Sequence, residues 1–571
     1  QPLFLDELYE EFEKAKGNAK KLNLLHLRLQ NLKIFDPACG SGNFLIIAYK
    51  ELRKLEMLIF KEGGLLISPS IKLTQFYGIE LDDFAHEVAI LSLWLAEHQM
   101  NVLFKKEFGT VPPALPLKDG GNIVHGNATR LSWEEVCPKN DRDEIYILGN
   151  PPYIGRRNQN KYQKAEIEDV LGELKNHKSL DYISIWFFKA SDYIRNENAK
   201  ASFVSTNSVS QGELVSLLWP SIFEKNIDIS YAYQSFKWQN NAKANAAVIV
   251  VIIGLSNKKK KKKYLFIDKI KKSVNYINAY LVNAPNIFVD NRATPISKLP
   301  EMTYGNMPGG CTELFLSPHE KDELIKKYPI LQKYIRKLVG SQESIKDIEK
   351  YCLWFKDLVS TDSIFNLPEI AKKIEITKST RETSKDSSFN SLADRPHQFR
   401  DLRETTTTSI LIPIVSSETR RYIPISIVNS ECIVPNSAQV IYDAETWVFG
   451  VVTSYMHMIW MKAVGGRLKT DYRYSKNVIY NTFPFPNISE KQKEEITELV
   501  FNILDERENH SEKTLAQMYD PDKMPKGLKE AHHQLDLAIE KCYRTKPFEN
   551  DEERLEYLFK LYEEMIKAEA K

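Results

Sequence analysis

The chain has 571 residues, 43% of them hydrophobic and 27% charged, a balance that fits a globular protein of several domains. No apolar run approaches the roughly 20 residues of a membrane helix and no signal peptide opens the chain. The six cysteines form no Cys-x-x-Cys pair, which argues against a disulfide framework or a zinc ribbon. The reading is a cytoplasmic protein without a membrane partner. Formal net charge is only +2, so a polyanion would have to be met by a local basic surface. Gln1 is not a usual initiator, and residues upstream are expected.

In chain order, the first half alternates strand and helix signals, as in a doubly wound α/β sheet. "LKIFD" (Leu32 to Asp36) is a short apolar strand ending in an acid, and "FYGIE" (Phe76 to Glu80) repeats that design before an amphipathic helix. "NIVHGN" and "IYILGN" are strands that stop at Asn127 and Asn150, and "ASFVSTNS" is another. "IDISYAYQSF" and "AAVIVVIIGL" read as an antiparallel hairpin. Six consecutive lysines, Lys258 to Lys263, read as a solvated loop. From about residue 277 the alternation gives way to β-branched runs and clustered aromatic and basic residues, and beyond residue 488 the chain is charged and helical. The expected domains are 1–276, 277–488 and 489–571.

Two stretches carry chemistry. "FDPACGSGNFL" (Phe35 to Leu45) follows the first strand and opens a helix. Gly40 and Gly42 permit close backbone approach, and the helix start behind them offers free N–H groups and a positive dipole end. Such a loop suits an adenosine-type ligand at the carboxyl edge of an α/β sheet, yet it lacks the dinucleotide and P-loop signatures. Strand tips at Asp36, Glu80, Asn127 and Asn150 would line one crevice. There Glu80 could accept both ribose hydroxyls and Asn127 could read an adenine edge. In "ILGNPPYIG" (Ile147 to Gly155), two prolines without N–H groups end the strand and stiffen the turn that holds Asn150 and Tyr153.

With these motifs in order, the chain resembles a class I S-adenosylmethionine-dependent DNA methyltransferase of the adenine-N6 gamma type. "DPACGSGNF" resembles motif I of that family, "GIE" motif II, "GNA" motif III and "NPPY" the catalytic motif IV. "FKWQNNAKANAAV", "YCLWF", "SSETRRYIPI", "GGRLKTDYRYS" and "YNTFPFP" extend the resemblance to the MmeI-like (type IIL) restriction–modification enzymes. The resemblance implies a doubly wound sheet with an antiparallel last strand, then an α+β target recognition domain and a helical C-terminal tail. It also implies S-adenosylmethionine as donor, held by Asp36, Pro37, Ala38, Cys39, Gly40, Gly42, Glu80, Asn127 and Asn150, and double-stranded DNA as partner. Asn rather than Ser or Asp at position 150 implies adenine rather than cytosine-N4.

On this reading the Asn150 side-chain oxygen and the Pro151 carbonyl accept the two amine hydrogens of adenine, freeing its lone pair towards the methyl group. Pro151 and Pro152 hold these acceptors rigid. Tyr153 stacks on a base that has left the duplex, and Phe236 and Trp238 are candidates for its other face. In the second half, Arg420 and Arg421 are assigned to base reading, and Arg467, Lys469 and Arg473 to the DNA backbone. Family members carry a nuclease and a helical connector ahead of the methyltransferase. This sequence is read as lacking both, and as beginning after the segment that completes the donor pocket. A nuclease signature is not expected in "DVLGELK", where Asp169 and Glu173 fall in a helix-prone insert read as a lid or surface helix. Two alternatives stay open: a protein-glutamine or RNA methyltransferase, and a catalytically silent DNA-binding subunit.

Overall fold

The computed structural model describes residues 2–63, 68–109, 120–238, 248–258, 262–267, 270–468 and 471–570. The chain forms two compact units, 1–288 and 289–571.

The first unit is built on one sheet. Its strands are β1 (Leu32–Asp36), β2 (Phe76–Glu80), β3 (Asn122–His125), β4 (Glu144–Gly149), β5 (Ala199–Thr206), β6 (Ile227–Trp238), β7 (Val248–Asn257), β8 (Lys263–Ile267) and β9 (Ile270–Val274). They lie in the order β3-β2-β1-β4-β5-β7-β6-β8-β9. The first five strands are parallel, and β7 inserts antiparallel between β5 and β6. β1, β4 and β5 are almost wholly buried, because parallel strands are covered by crossover helices on both faces and so read as continuous apolar runs. The strand order reverses between β1 and β4, so the carboxyl edge there opens a crevice, where ligands of such sheets bind. Sequence reading placed Lys263 in a solvated loop. It instead begins β8, which pairs parallel with β6, and its ammonium reaches Asp228 at 2.9 Å.

The helices of this unit are α1 (Leu5–Ala15), α2 (Ala19–Gln30), α3 (Asn43–Gly63), α4 (Asp83–Phe108), α5 (Trp133–Val136), α6 (Lys161–Leu171), α7 (Ser184–Ile194) and α8 (Glu213–Phe223). α3 starts after the loop that follows β1, and α4 after the short turn that follows β2, so their N-terminal N–H groups face the carboxyl edge. Asp82 caps α4 by accepting from Ala85 N at 2.8 Å, and Gly109 ends that helix in a left-handed turn.

In the second unit two four-stranded sheets are each built from short strands far apart in sequence. A further three-stranded sheet orders Val415–Ser416, Asp471–Arg473 and Gly466–Leu468 side by side. The helices Glu490–Glu508, Lys526–Tyr543 and Asp551–Glu569 belong to this same unit. No helix among the described residues is long and apolar enough to cross a membrane.

Candidate active site

The loop after β1 is folded by its own backbone chemistry. Gly40 and Gly42 adopt φ of +54° and +81°, a region open mainly to glycine. Asp36 at the tip of β1 is fully buried, and its Oδ1 accepts from Ala38 N at 3.0 Å. Its Oδ2 is closed off with no hydrogen-bond partner among the described residues. Burial and the nearby Glu80 push the Asp36 carboxyl up to about 7, against the pull of the Ala38 N–H. A Cβ on Gly149, at the end of β4, would lie 2.6 Å from Asp36 Oδ1, so the two strand tips meet only because position 149 has no side chain. Cys39 is buried, and burial together with Asp36 and Glu80 holds its thiol far above the usual range. Pro37 offers its carbonyl to Trp186 Nε1 at 3.2 Å.

Glu80 links β2 to this loop. Its Oε2 accepts from Gly40 N at 2.7 Å and its Oε1 from Asp82 N at 2.9 Å. Both oxygens keep a lone pair for a further donor.

Asn127, expected to read an adenine edge, is engaged by groups of this chain. Its Oδ1 accepts from Thr129 N at 2.9 Å and Thr129 Oγ1 at 2.7 Å. Its Nδ2 donates to Glu166 Oε1 at 2.8 Å. Glu166, buried on α6, also accepts from the Tyr182 hydroxyl and pairs with Arg130 at 3.0 Å. This contact fastens the insert helix α6 beside the tip of β3. Asp169 lies exposed on that helix and Glu173 exposed just beyond it. Among the described residues no group of three or more His, Cys, Asp or Glu side chains could hold a metal ion.

β4 ends at Gly149, and Asn150 follows at once. Asn150 Oδ1 is closed off from solvent and has no hydrogen-bond partner among the described residues. Pro151 is buried, Pro152 exposed and Tyr153 half-buried. The chain beyond is clamped: Ile154 N donates to Asp181 Oδ1 at 2.9 Å, while Ile154 O accepts from Gln159 Nε2 at 2.8 Å and Tyr182 N at 3.1 Å. Asp181 Oδ2 in turn accepts from Ser208 Oγ at 3.5 Å, which ties the segment after Tyr153 to the end of β5. Burial raises the Asp181 carboxyl despite these donors.

Pairing across the sheet brings a distant residue to the same edge. Thr206, last in β5, pairs with Val250, which pairs with Phe236. Phe236 is half-buried, with its ring 6.4 Å from that of Tyr233. The side chain of Trp238 lies outside the described residues. Sequence reading missed Glu166, Asp181 and two amides after β5. Asn207 Nδ2 and Gln211 Oε1 are both closed off without a partner among the described residues.

In the second unit the three-stranded sheet draws "SSETRR" and "GGRLKTDYR" together. Arg467 Nη1 donates to Glu418 Oε2 at 3.2 Å, and its guanidinium lies 4.5 Å from the Tyr472 ring centre. Arg473 is exposed at the end of its strand and Arg420 is half-buried. Arg421 packs over Tyr455 at 4.5 Å and donates to the Tyr422 hydroxyl at 3.2 Å, which donates to Asp536 at 2.7 Å. Arg421 is exposed, yet it is engaged by the buried Tyr422 and the half-buried Tyr455. The tyrosines of these segments, Tyr422, Tyr472, Tyr474 and Tyr480, are all buried. Lys469 lies outside the described residues.

Three family descriptions match the chain in succession: the DNA-methyltransferase domain of MmeI over residues 12–267, its target recognition domain over 283–487 and its C-terminal domain over 488–569. The solved structure of the type IIL restriction–modification enzyme MmeI in complex with DNA is 38% identical. It aligns with 99% of this chain and 77% of that one at a TM-score of 0.89. The chain belongs to the MmeI-like restriction–modification family. DNA methyltransferase A of Bacillus subtilis (strain 168) is 50% identical over 572 residues. That alignment takes in 99% of this MmeI-like chain but 65% of the Bacillus protein, so the chain spans about two thirds of that relative's length.

Proposed function

We propose that this protein is a site-specific DNA methyltransferase that moves a methyl group from S-adenosylmethionine to adenine N6 in duplex DNA, with the base extruded. The observation that carries the reading is Asn150 Oδ1, an acceptor held without a partner at the tip of β4, beside the reversal of strand order. A buried unpaired acceptor costs about 1–3 kcal/mol, so its retention points to a ligand hydrogen.

The donor half of the edge fits a cationic adenosine ligand. Asp36 Oδ2 is a buried oxygen without a partner, suited to an ammonium group, and Glu80 offers lone pairs to ribose hydroxyls beside the glycine loop. Pro37, Ala38, Cys39, Gly40 and Gly42 supply the loop's backbone. Asn127 supports this half through Thr129 and Glu166. S-adenosylmethionine supplies an electrophilic methyl group when bound. On the acceptor half, Asn150 Oδ1 and the Pro151 carbonyl take the two amine hydrogens of adenine, so its lone pair points out of the ring plane. Pro151 and Pro152 fix those acceptors, and Asp181, Gln159 and Tyr182 fix the chain behind them. Tyr153 and one aromatic of the β6–β7 hairpin, Phe236 or Trp238, stack on the two faces of the base. In the second unit Arg420 and Arg421 read bases, while Arg467, Lys469 and Arg473 meet the backbone. The three domains follow the limits 1–276, 277–488 and 489–571.

The test is methyl transfer from labelled S-adenosylmethionine to plasmid DNA, RNA and total protein, followed by nucleoside analysis and long-read mapping. N6-methyladenine at one sequence in duplex DNA supports the reading. Label in RNA, in protein or in no acceptor overturns it.

A further inference from the structure

The acceptor half of the edge holds more unpaired polar atoms than the chemistry above employs. Asn207 follows β5 directly and begins the turn Asn207–Ser210; Gln211 comes just after that turn. Asn207 Nδ2 and Gln211 Oε1 share the condition of Asn150 Oδ1: closed off, and without a partner among the described residues. β4 and β5 run parallel, with Gly149 opposite Phe203, so the chain beyond each strand leaves the sheet at the same edge. Asp181 fixes the two tips to one another, since its two oxygens accept from Ile154 N on one side and Ser208 Oγ on the other. Asn207 therefore sits one residue from an atom tied to the segment that follows Tyr153.

The chemistry separates the two amides. An adenine whose amine hydrogens go to Asn150 and Pro151 presents ring nitrogens, N1 and N7, on either side of that amine, and both are acceptors. Gln211 Oε1 is an acceptor as well and gains nothing there. Asn207 Nδ2 is a donor. We propose that Asn207 is a specificity-determining contact to the extruded base, donating from Nδ2 to the adenine ring nitrogen beside the methylated amine. The inference rests on the adenine reading above. It gives that site a donor next to two acceptors, a pattern matched by an amine beside a ring nitrogen. Guanine and thymine fail against it on the Watson–Crick edge, where they show a carbonyl beside a ring N–H. A buried donor left facing another donor is the kind of mismatch by which polar sites reject near-isosteres.

The experiment is a double-mutant cycle between protein and DNA. Wild type and Asn207→Ala are assayed on duplexes carrying adenine, 1-deazaadenine or 7-deazaadenine at the target position mapped for the wild type. On adenine, Asn207→Ala is expected to lower kcat/KM by about 10- to 100-fold, the cost of one hydrogen bond to a desolvated edge. Calorimetric affinity for S-adenosylmethionine should stay within two- to threefold, about the noise of a contact that the donor does not share. On one of the two deaza duplexes wild type should fall to the rate of the variant, and the mutation should then have no further effect. Effects that multiply on both deaza duplexes overturn the inference, as does an unchanged rate on adenine or a parallel loss of donor affinity. Asn207→Asp, which keeps the shape and replaces the donor by an acceptor, must be at least as impaired as Asn207→Ala; it serves alone if the alanine variant does not fold. A wild type that forms no N6-methyladenine sinks the adenine reading first, whereas a multiplicative cycle in an active wild type sinks only the role of Asn207.

Discussion

The Gly40 amide donates to Glu80 Oε2 at 2.7 Å, so the glycine loop after β1 is tied to the tip of β2. One carboxylate thus shapes the loop and, on the proposed reading, also serves the donor ribose. Glu80→Ala removes both roles, while Glu80→Gln keeps one acceptor. Donor affinity by calorimetry should fall in the alanine variant by about 1.5–3 kcal/mol, roughly 10- to 150-fold, as for a hydrogen bond to a charged group. The glutamine variant should lose less. Unchanged affinity in Glu80→Ala would remove that residue from the site.

If Asp36 meets the donor as proposed, donor binding should depend on pH. Its carboxyl, ordinarily at 3.8, stands at about 7 in the folded protein, chiefly through burial. A cationic donor favours the ionised form, so binding near neutral pH should expel a proton, and affinity should rise as pH climbs through 7. The apo-protein should respond in the opposite sense. A carboxyl with a higher pKa when folded binds more protons in that state, so its contribution to stability is present at low pH and is lost as pH rises from 3.8 to about 7. Titrations in buffers of different ionisation enthalpy would show the proton release, and Asp36→Asn should flatten both profiles.

Much of this edge was legible in the sequence, because each strand is a short apolar run that stops at a polar residue. Asp36 ends β1, Glu80 ends β2 and Asn150 follows β4, three neighbouring strands of one sheet, and the hairpin supplies the reversed strand. What sequence could not show are partners chosen across long separations. Asn127 meets Glu166, 39 residues on, and Ile154 meets Asp181, 27 residues on; neither pair has a local periodicity that announces it. In the recognition segments the sequence does not say which of the tyrosines beside the arginines pack; Tyr474 bonds to His457 at 2.7 Å and Tyr480 to the Pro300 carbonyl at 2.7 Å. Composition does not say which face of a short strand is buried.

Asp181 should act as a positioning residue. Asp181→Ala leaves the Ile154 and Ile183 amides without their acceptor, at a cost of about 1–3 kcal/mol. The melting temperature should drop by a few degrees, and kcat should fall more than donor affinity, because the loop behind Tyr153 loosens. Asp181→Asn retains an acceptor oxygen and should recover most of the rate. Equal loss in both variants would count against this role.

DNA affinity should fall steeply with salt, as phosphate contacts release counterions. Arg473 is exposed on its strand, so Arg473→Ala should reduce the slope of log affinity against log salt by about one and weaken binding alike on cognate and unrelated duplexes. A slope unchanged by the mutation would place Arg473 away from the backbone.

Asn150 makes the sharpest demand, because chemistry and stability should move in opposite directions. Its Oδ1 is closed off without a partner among the described residues, so the folded apo-protein bears the cost of desolvating that oxygen. Asn150→Ala removes the unpaired acceptor and should leave the melting temperature unchanged or raise it, by up to about 1 kcal/mol of stability. On the proposed reading the same change also removes the acceptor for the adenine amine. Methyl transfer should fall below detection while DNA affinity stays within a few-fold, since the contact forms only once the base has been extruded and brought to the donor. Thermal melts, filter-binding and nucleoside analysis on one preparation would decide it. Substantial N6-methyladenine from the alanine variant would exclude Asn150 from the reaction, and a large drop in melting temperature would show that the oxygen is spent on the fold rather than held for the base.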